Sequence, residues 1–253
     1  MATDADLDDP SLVGDLVARE RRSERLALSA AELDRTYSYF DLCNTACKVG
    51  NVLSHRGVRE GDRLVVDPVP LPEPVLTFLG AALLGAVTEF DADPGRECDA
   101  RAVVVPVDRE PEFDLPGGSK LLCFGGDPER PATTHWEQEV WSENPAFPPT
   151  FHDPADPVLR DPDADRAYSH AALLDAARAA ADALALDGDS RVAVRAPLSD
   201  PRTVAAGVLA PLLVGGAVSL PDGDASPDAT AAVATDAASA VEERVLALEA
   251  VSL

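Results

Sequence analysis

The chain has 253 residues, 46% of them hydrophobic, enough to bury a large core as one domain or as two lobes and too many for wholesale disorder. Its 45 acidic residues against 21 basic ones give a formal charge of −24, a field that repels nucleic acid and anionic membrane surfaces and excludes both as partners. Lys48 and Lys120 are the only lysines, and Asp, Ala and Val are abundant; this points to a salt-rich, halophilic cytoplasm where ions screen self-repulsion, with an acidic protein of ordinary cytoplasm as the alternative.

The opening MATDADLDDP (1–10) is expected to be an acidic disordered tail. It has neither the basic segment nor the apolar stretch of a signal peptide, so the cytoplasm is the expected compartment. A first α/β lobe is expected over 11–127. Within it a helix follows Tyr37-Ser38, with Leu42, Cys43, Ala46, Val49 and Leu53 at helical spacing. Cys43 and Cys47, four apart, form a candidate metal set with His55, but both fall on the apolar stripe and read better as small buried hydrophobes. Leu64–Val66 reads as a strand. A helix then starts at Pro72 or Pro74, where a missing N–H costs nothing, and Ala86–Phe90 and Ala102–Val107 are further strands.

In CFGGDPER (123–130) a strand ends on Gly125-Gly126. This is a weak form of phosphate turn, and Asp127 and Glu129 favour a simple tight turn instead. Residues 128–157 are expected to hold a helix from Thr133 to Glu143 and a proline-rich linker. On that helix His135, Trp136 and Trp141 offer an aromatic face, which reads better as helix packing than as a ligand platform.

The second lobe, 158–253, repeats the first at an offset near 130. Tyr37-Ser38 is matched by Tyr168-Ser169, Gly61-Asp62 by Gly188-Asp189, Pro70-Leu71 by Pro197-Leu198, Gly80 by Gly207, and Gly85-Ala86-Val87 by Gly216-Ala217-Val218. Each copy reads as helix, strand, helix, strand, strand. The second has Leu173–Leu184, Val192–Val194, Pro201–Leu213, Val218–Leu220 and Ala231–Ala234, and a final amphipathic helix is expected over Ala240–Ala250. The uncharged run Thr203–Leu220 is long enough for a membrane span, but Pro211 and Gly215-Gly216 divide it into a buried helix, a turn and a strand. Apolar strands alternating with helices give the fold class: α/β, two repeated lobes with mostly parallel sheets covered by helices.

The order of Tyr39, Gly57-Val58, Gly61–Val66 and Phe78–Val87, followed by Ser169-His170, Pro197-Leu198 and Gly215–Leu220, resembles the N-terminal domain of the adenylate-forming (AMP-binding, acyl-CoA synthetase-like) enzymes over residues 11 to about 236. The resemblance implies a nucleotide site just before the helix that His170 opens. There the family carries a Ser/Thr/Gly-rich loop ending in Pro-Lys-Gly, whose small residues let backbone N–H groups reach the ATP phosphates. This chain instead runs Val158-Leu159-Arg160-Asp161-Pro162-Asp163-Ala164-Asp165-Arg166: shorter, without glycine or lysine, and with three carboxylates where phosphate would lie.

Arg160, Ser169 and His170 are the residues that occupy degenerate nucleotide-site positions. The family's adenine and magnesium motif, ribose-binding Asp and catalytic-lysine domain find no counterpart in these residues. Asp161, Asp163 and Asp165 imitate the start of a calcium loop, but Arg166 and Ala172 stand where glycine and a bidentate glutamate are needed. Ser169 and His170, as helix neighbours, point about 100° apart and do not form a nucleophile and base; Ser169 reads as an N-cap.

The expected function is a non-catalytic binding or interaction module. The alternative is one part of a split ligase that adenylates a carboxylic acid with a partner chain. No cofactor is expected, since no motif supports ATP, AMP or CoA; a protein partner, a homo-oligomer, or a small acyl or adenosine ligand is left open.

Overall fold

The computed structural model describes residues 9–223 and 228–253. The tail expected to be disordered therefore lies mostly outside the described residues. Its last two residues are docked: the Arg178 guanidinium donates to the Asp9 carboxylate and to the Pro10 carbonyl at 2.7 Å each.

Each half of the chain opens with a hairpin that leads into a helix. β1 (Leu26–Ala30) and β2 (Arg35–Ser38) precede α1 (Tyr39–His55); β8 (Pro157–Asp161) and β9 (Arg166–Ser169) precede α4 (His170–Ala183). Both helices start where a serine satisfies an orphan N–H: Ser38 accepts from the Asp41 N–H at 3.1 Å and Ser169 from the Ala172 N–H at 3.2 Å. Asp41 reciprocates to the Ser38 N–H at 3.2 Å, completing a capping box that Ala172 cannot provide.

The first half continues through β3 (Arg63–Val66), α2 (Pro72–Leu84), β4 (Val87–Phe90), β5 (Ala102–Pro106), β6 (Lys120–Phe124), β7 (Thr134–His135) and α3 (Trp136–Ser142). The second continues through β10 (Arg191–Arg195), α5, β11 (Ala217–Leu220), β12 (Ala231–Ala234) and β13 (Arg244–Ala247). α5 is α-helical over Pro201–Thr203, π-helical over Val204–Leu209 and α-helical again over Ala210–Leu213. Pro211 has no N–H to offer the carbonyl four residues back, so the ladder widens there.

The strands form two sheets, ordered β13-β12-β10-β11-β1-β2 and β7-β6-β5-β3-β4-β8-β9. Every pairing between named strands is parallel except within the two hairpins. Each hairpin extends the other half's sheet: β1 pairs with β11, and β8 pairs with β4. The halves are thus cross-strapped, and one apolar cluster runs through both, from Leu28 and Leu42 through Leu79 and Leu173 to Leu209 and Val233. α1 packs on α2 so closely that a Cβ on Gly80 would stand 2.8 Å from the Ala46 carbonyl.

Three sequence expectations are corrected. Ala240–Ala250 is not a helix: β13 adds a parallel edge strand beside β12, and Arg244 donates to the Leu184 and Ala185 carbonyls. The helix expected over Thr133–Glu143 is shorter, because Thr134 and His135 first pair with β6. The proline-rich linker is a packed strap over α1 and α2: Asn51 donates to the Asn144 and Ala146 carbonyls at 2.9 Å, and Thr150 donates to the Leu83 carbonyl at 3.0 Å. No helix among the described residues is long and apolar enough to cross a membrane.

Candidate functional site

The segment singled out by the missing phosphate loop is the turn between β8 and β9. Asp161 accepts hydrogen bonds from the Asp163 and Ala164 N–H groups at 3.0 and 3.1 Å, so the carboxylate occupies the small donor concavity that the turn creates. Arg160 donates to Asp165 at 2.5 Å, and its Nε lies 3.7 Å from Glu89. Glu89 is 1% exposed and is gripped by Arg63 at 2.5 and 3.0 Å. Arg166 lies over the Tyr168 ring, 4.7 Å from its centre. Both turn arginines are therefore engaged within the protein.

Ser169 is spent on the N-cap described above. His170 is fully buried and its Nδ1 accepts from the Val13 N–H at 3.1 Å, which fixes the neutral tautomer with the proton on Nε2. Nε2 has no hydrogen-bond partner among the described residues. The ring stacks on His152, centres 6.4 Å apart and planes within 6°. Burial first, and then His152, hold the His170 pKa down to about 4. Arg160, Ser169 and His170 thus face three separate sets of partners: an acidic pair, a helix end and the N-terminal segment.

The glycine turn after β6 is filled in the same way. Glu137 accepts from the Gly125 N–H at 2.6 Å, and buried Glu110 accepts from the Glu129 and Arg130 N–H groups at 2.7 and 3.1 Å. Carboxylates of the chain itself sit where an external anion would have to bind. On the neighbouring helix Trp136 is buried, donating from Nε1 to Thr77 at 3.1 Å, whereas Trp141 is exposed. His135 lies 3.0 Å from Asp127 and 3.3 Å from Glu137. Cys43 and Cys47 are buried in α1 while His55 is exposed and 3.2 Å from Glu143. Among the described residues no group of three or more His, Cys, Asp or Glu comes together to hold a metal.

A cavity of about 480 Å³ lies between the N-terminal 3-10 turn Val13–Val17, the outer sides of α1 and α2, and the 144–152 strap. Its wall includes Leu83, Phe147 and Pro148 together with Arg19, Arg22 and His152. Sequence reasoning missed it, because the strap reads as a linker until its packing is seen. Phe147 was the available signal: a Cβ on Gly50 would fall 2.6 Å from its ring, so that glycine exists to let the strap down.

No protein-family model matches the chain. Short stretches match curated acetyl-coenzyme A synthetases. The match to the Parvibaculum lavamentivorans protein is 35% identical over 72 residues, 27% of this chain and 11% of that one; the match to the Alcanivorax borkumensis protein is 41% identical over 54 residues, 21% and 8%. In three dimensions the chain superposes on the anthranilate CoA ligase AuaEII, solved in complex with anthranoyl-AMP, with a TM-score of 0.75 at 17% identity, over 88% of this chain and 49% of that one. It superposes on the N-terminal domain of FACL13 from Mycobacterium tuberculosis with a TM-score of 0.70 at 17% identity, over 88% and 62%.

The chain is a relative of the adenylate-forming enzymes. It spans about half the length of the solved ligase and about a tenth of the curated synthetases it matches. The resemblance and the mostly parallel α/β fold expected from the sequence are thereby met. The six-residue turn Asp161 to Arg166, where the resemblance implies a phosphate loop, is closed by its own side chains.

Proposed function

We propose that this protein is a non-catalytic relative of the adenylate-forming enzymes, a binding or interaction module working in a salt-rich cytoplasm. One observation carries the reading: the β8–β9 turn spends its backbone donors on Asp161 and its arginines on Asp165, Glu89 and Tyr168. A triphosphate there would have to displace these partners and approach carboxylates of its own sign, without a mobile lysine to offset the charge. The formal charge of −24 supports a high-salt setting, where self-repulsion is screened.

The test is ATP–pyrophosphate exchange in molar KCl with acetate, medium-chain fatty acids and amino acids as acceptors. The expected result is no exchange above background, and robust exchange with any acid refutes the proposal.

A second reading, part of a split ligase, is supported by 88% of the chain superposing on roughly half of a CoA ligase with its apolar core continuous. Under that reading a second chain co-purifies and exchange appears only in the pair.

A further inference from the structure

We propose that His135 and Glu137 bind a zinc ion where β6 and β7 end, with Asp127 orienting the imidazole from its far side. The first observation is a buried oxygen with nothing to bind. The Glu137 side chain is 9% exposed; its Oε1 accepts from the Gly125 N–H at 2.6 Å, while Oε2 has no hydrogen-bond partner among the described residues. A carboxylate oxygen left in that state is costly unless a cation meets it.

Oε2 faces the His135 Nε2 at 3.3 Å. Charge-assisted N–H···O bonds close to about 2.7–2.9 Å, so the pair stands too far apart for one. Two ligands each about 2.0–2.1 Å from a tetrahedral zinc lie roughly 3.3 Å from one another, which is the separation found here.

The other ring nitrogen completes the pattern. Nδ1 lies 3.0 Å from the Asp127 carboxylate, which favours the tautomer with its proton on Nδ1 and a free lone pair on Nε2. A carboxylate behind a ligating histidine is the usual outer support of a zinc site. The arginines nearby are turned to other acceptors: Arg56 pairs with Glu139 at 2.8 Å, and Arg130 donates to the Phe113 carbonyl at 2.7 Å. A cleft of about 540 Å³ lined by Asp127, Thr134 and His135 has room for the water that fills the remaining positions. An imidazole ligand favours zinc over magnesium and calcium, which take oxygen ligands in larger number. None of these residues belongs to the β8–β9 turn, so the site is independent of whether the chain binds nucleotide.

The test is titration of the whole chain with zinc chloride in molar KCl at neutral pH, followed by calorimetry and by the ring ¹H–¹³C resonances of the four histidines. A saturable site of micromolar affinity is expected, with the His135 ring moving first and excess Mg²⁺ failing to displace the zinc. Glu137→Gln, which keeps an acceptor for the Gly125 N–H, and His135→Gln each weaken binding by at least about tenfold, and Asp127→Asn by about tenfold. His55→Gln is the control, because His55 also stands beside a carboxylate, Glu143 at 3.2 Å, but is exposed; it leaves the affinity unchanged.

Near-UV circular dichroism establishes that each variant folds, and the histidine resonances of the unaltered chain decide without any variant. No saturable binding, His55 moving before His135, affinity retained by the folded Glu137→Gln or His135→Gln chain, or displacement by Mg²⁺ would each overturn the proposal. An equal loss in His55→Gln would do the same, showing an adventitious ion only.

Discussion

The β1–β2 turn runs from Ala30 to Arg35 and the β8–β9 turn from Asp161 to Arg166, each with an aspartate at φ +47° in its fifth place, Asp34 and Asp165. The register matches pair for pair. Leu28↔Tyr37 and Leu159↔Tyr168 stand 131 positions apart, as do the irregularities at Leu26/Leu28 and Pro157/Leu159. Even the arginine that closes each turn lies over the following tyrosine, Arg35 on Tyr37 at 5.3 Å and Arg166 on Tyr168 at 4.7 Å.

The first hairpin, which the resemblance does not associate with phosphate, has the same backbone as the second. The turn at 161–166 is therefore fully accounted for as a structural closure that pins one half's sheet edge to the other half. What distinguishes the second hairpin is acidity: Asp161 closes its turn, and Glu89 lies under its first strand where β11 carries Ser219.

Breaking that difference has the largest expected effect. Glu89→Ala leaves Arg63 without its buried partner and should cost about 3 kcal/mol, measured by urea unfolding in high salt. Ser219→Ala at the matching place in β11 should cost about 1 kcal/mol or less.

The next contrast is His170 against Tyr39, its counterpart at the helix start. With a folded pKa of about 4 against an ordinary 6.5, the fold keeps His170 neutral. Its contribution is complete above about pH 6.5 and is lost as the pH falls toward 4, by about 3 kcal/mol over that window. Burial instead pushes the Tyr39 hydroxyl pKa up, so it does not titrate there. His170→Asn, which retains an acceptor for the Val13 N–H, should flatten the stability profile between pH 6.5 and 4.

The smallest contrast is between the caps. Ser38→Ala and Ser169→Ala should each cost about 1 kcal/mol by thermal unfolding, with Ser38 the costlier because its loss also frees Asp41. Ala172→Asp, which supplies the reciprocal half missing from α4, should return about 0.5 kcal/mol.

The helices were legible because their apolar residues recur at 3.6, the inner strands because they are short continuous apolar runs, and both because two copies agree. Gly80 and Gly207, or Ser38 and Ser169, each mark the same place twice. The hairpin exchange was not legible, since periodicity says which face of a strand is buried and nothing about which edge it joins.

The error at Ala240–Ala250 has a physical cause. Val241, Val245 and Leu248 fit a helical stripe, yet Val241 is exposed and the free edge of β12 offers a ladder to Arg244–Ala247. The repeat contained the correction, because Ala102↔Lys120 in the first half has its twin in Ala231↔Arg244. Of the candidate site, the missing loop was visible as a sequence; the occupation of the turn's amides by Asp161, and the cavity under the strap, depend on side-chain placement that no spacing encodes.

The most direct test of the closed turn is to follow the ¹⁵N–¹H resonances of the Asp163 and Ala164 amides while MgATP is titrated into the protein in molar KCl. Both amides, already bonded to Asp161, are predicted to stay unshifted through millimolar nucleotide. Saturable movement of these two resonances, with the nucleotide's phosphorus signals shifting in step, would contradict the account.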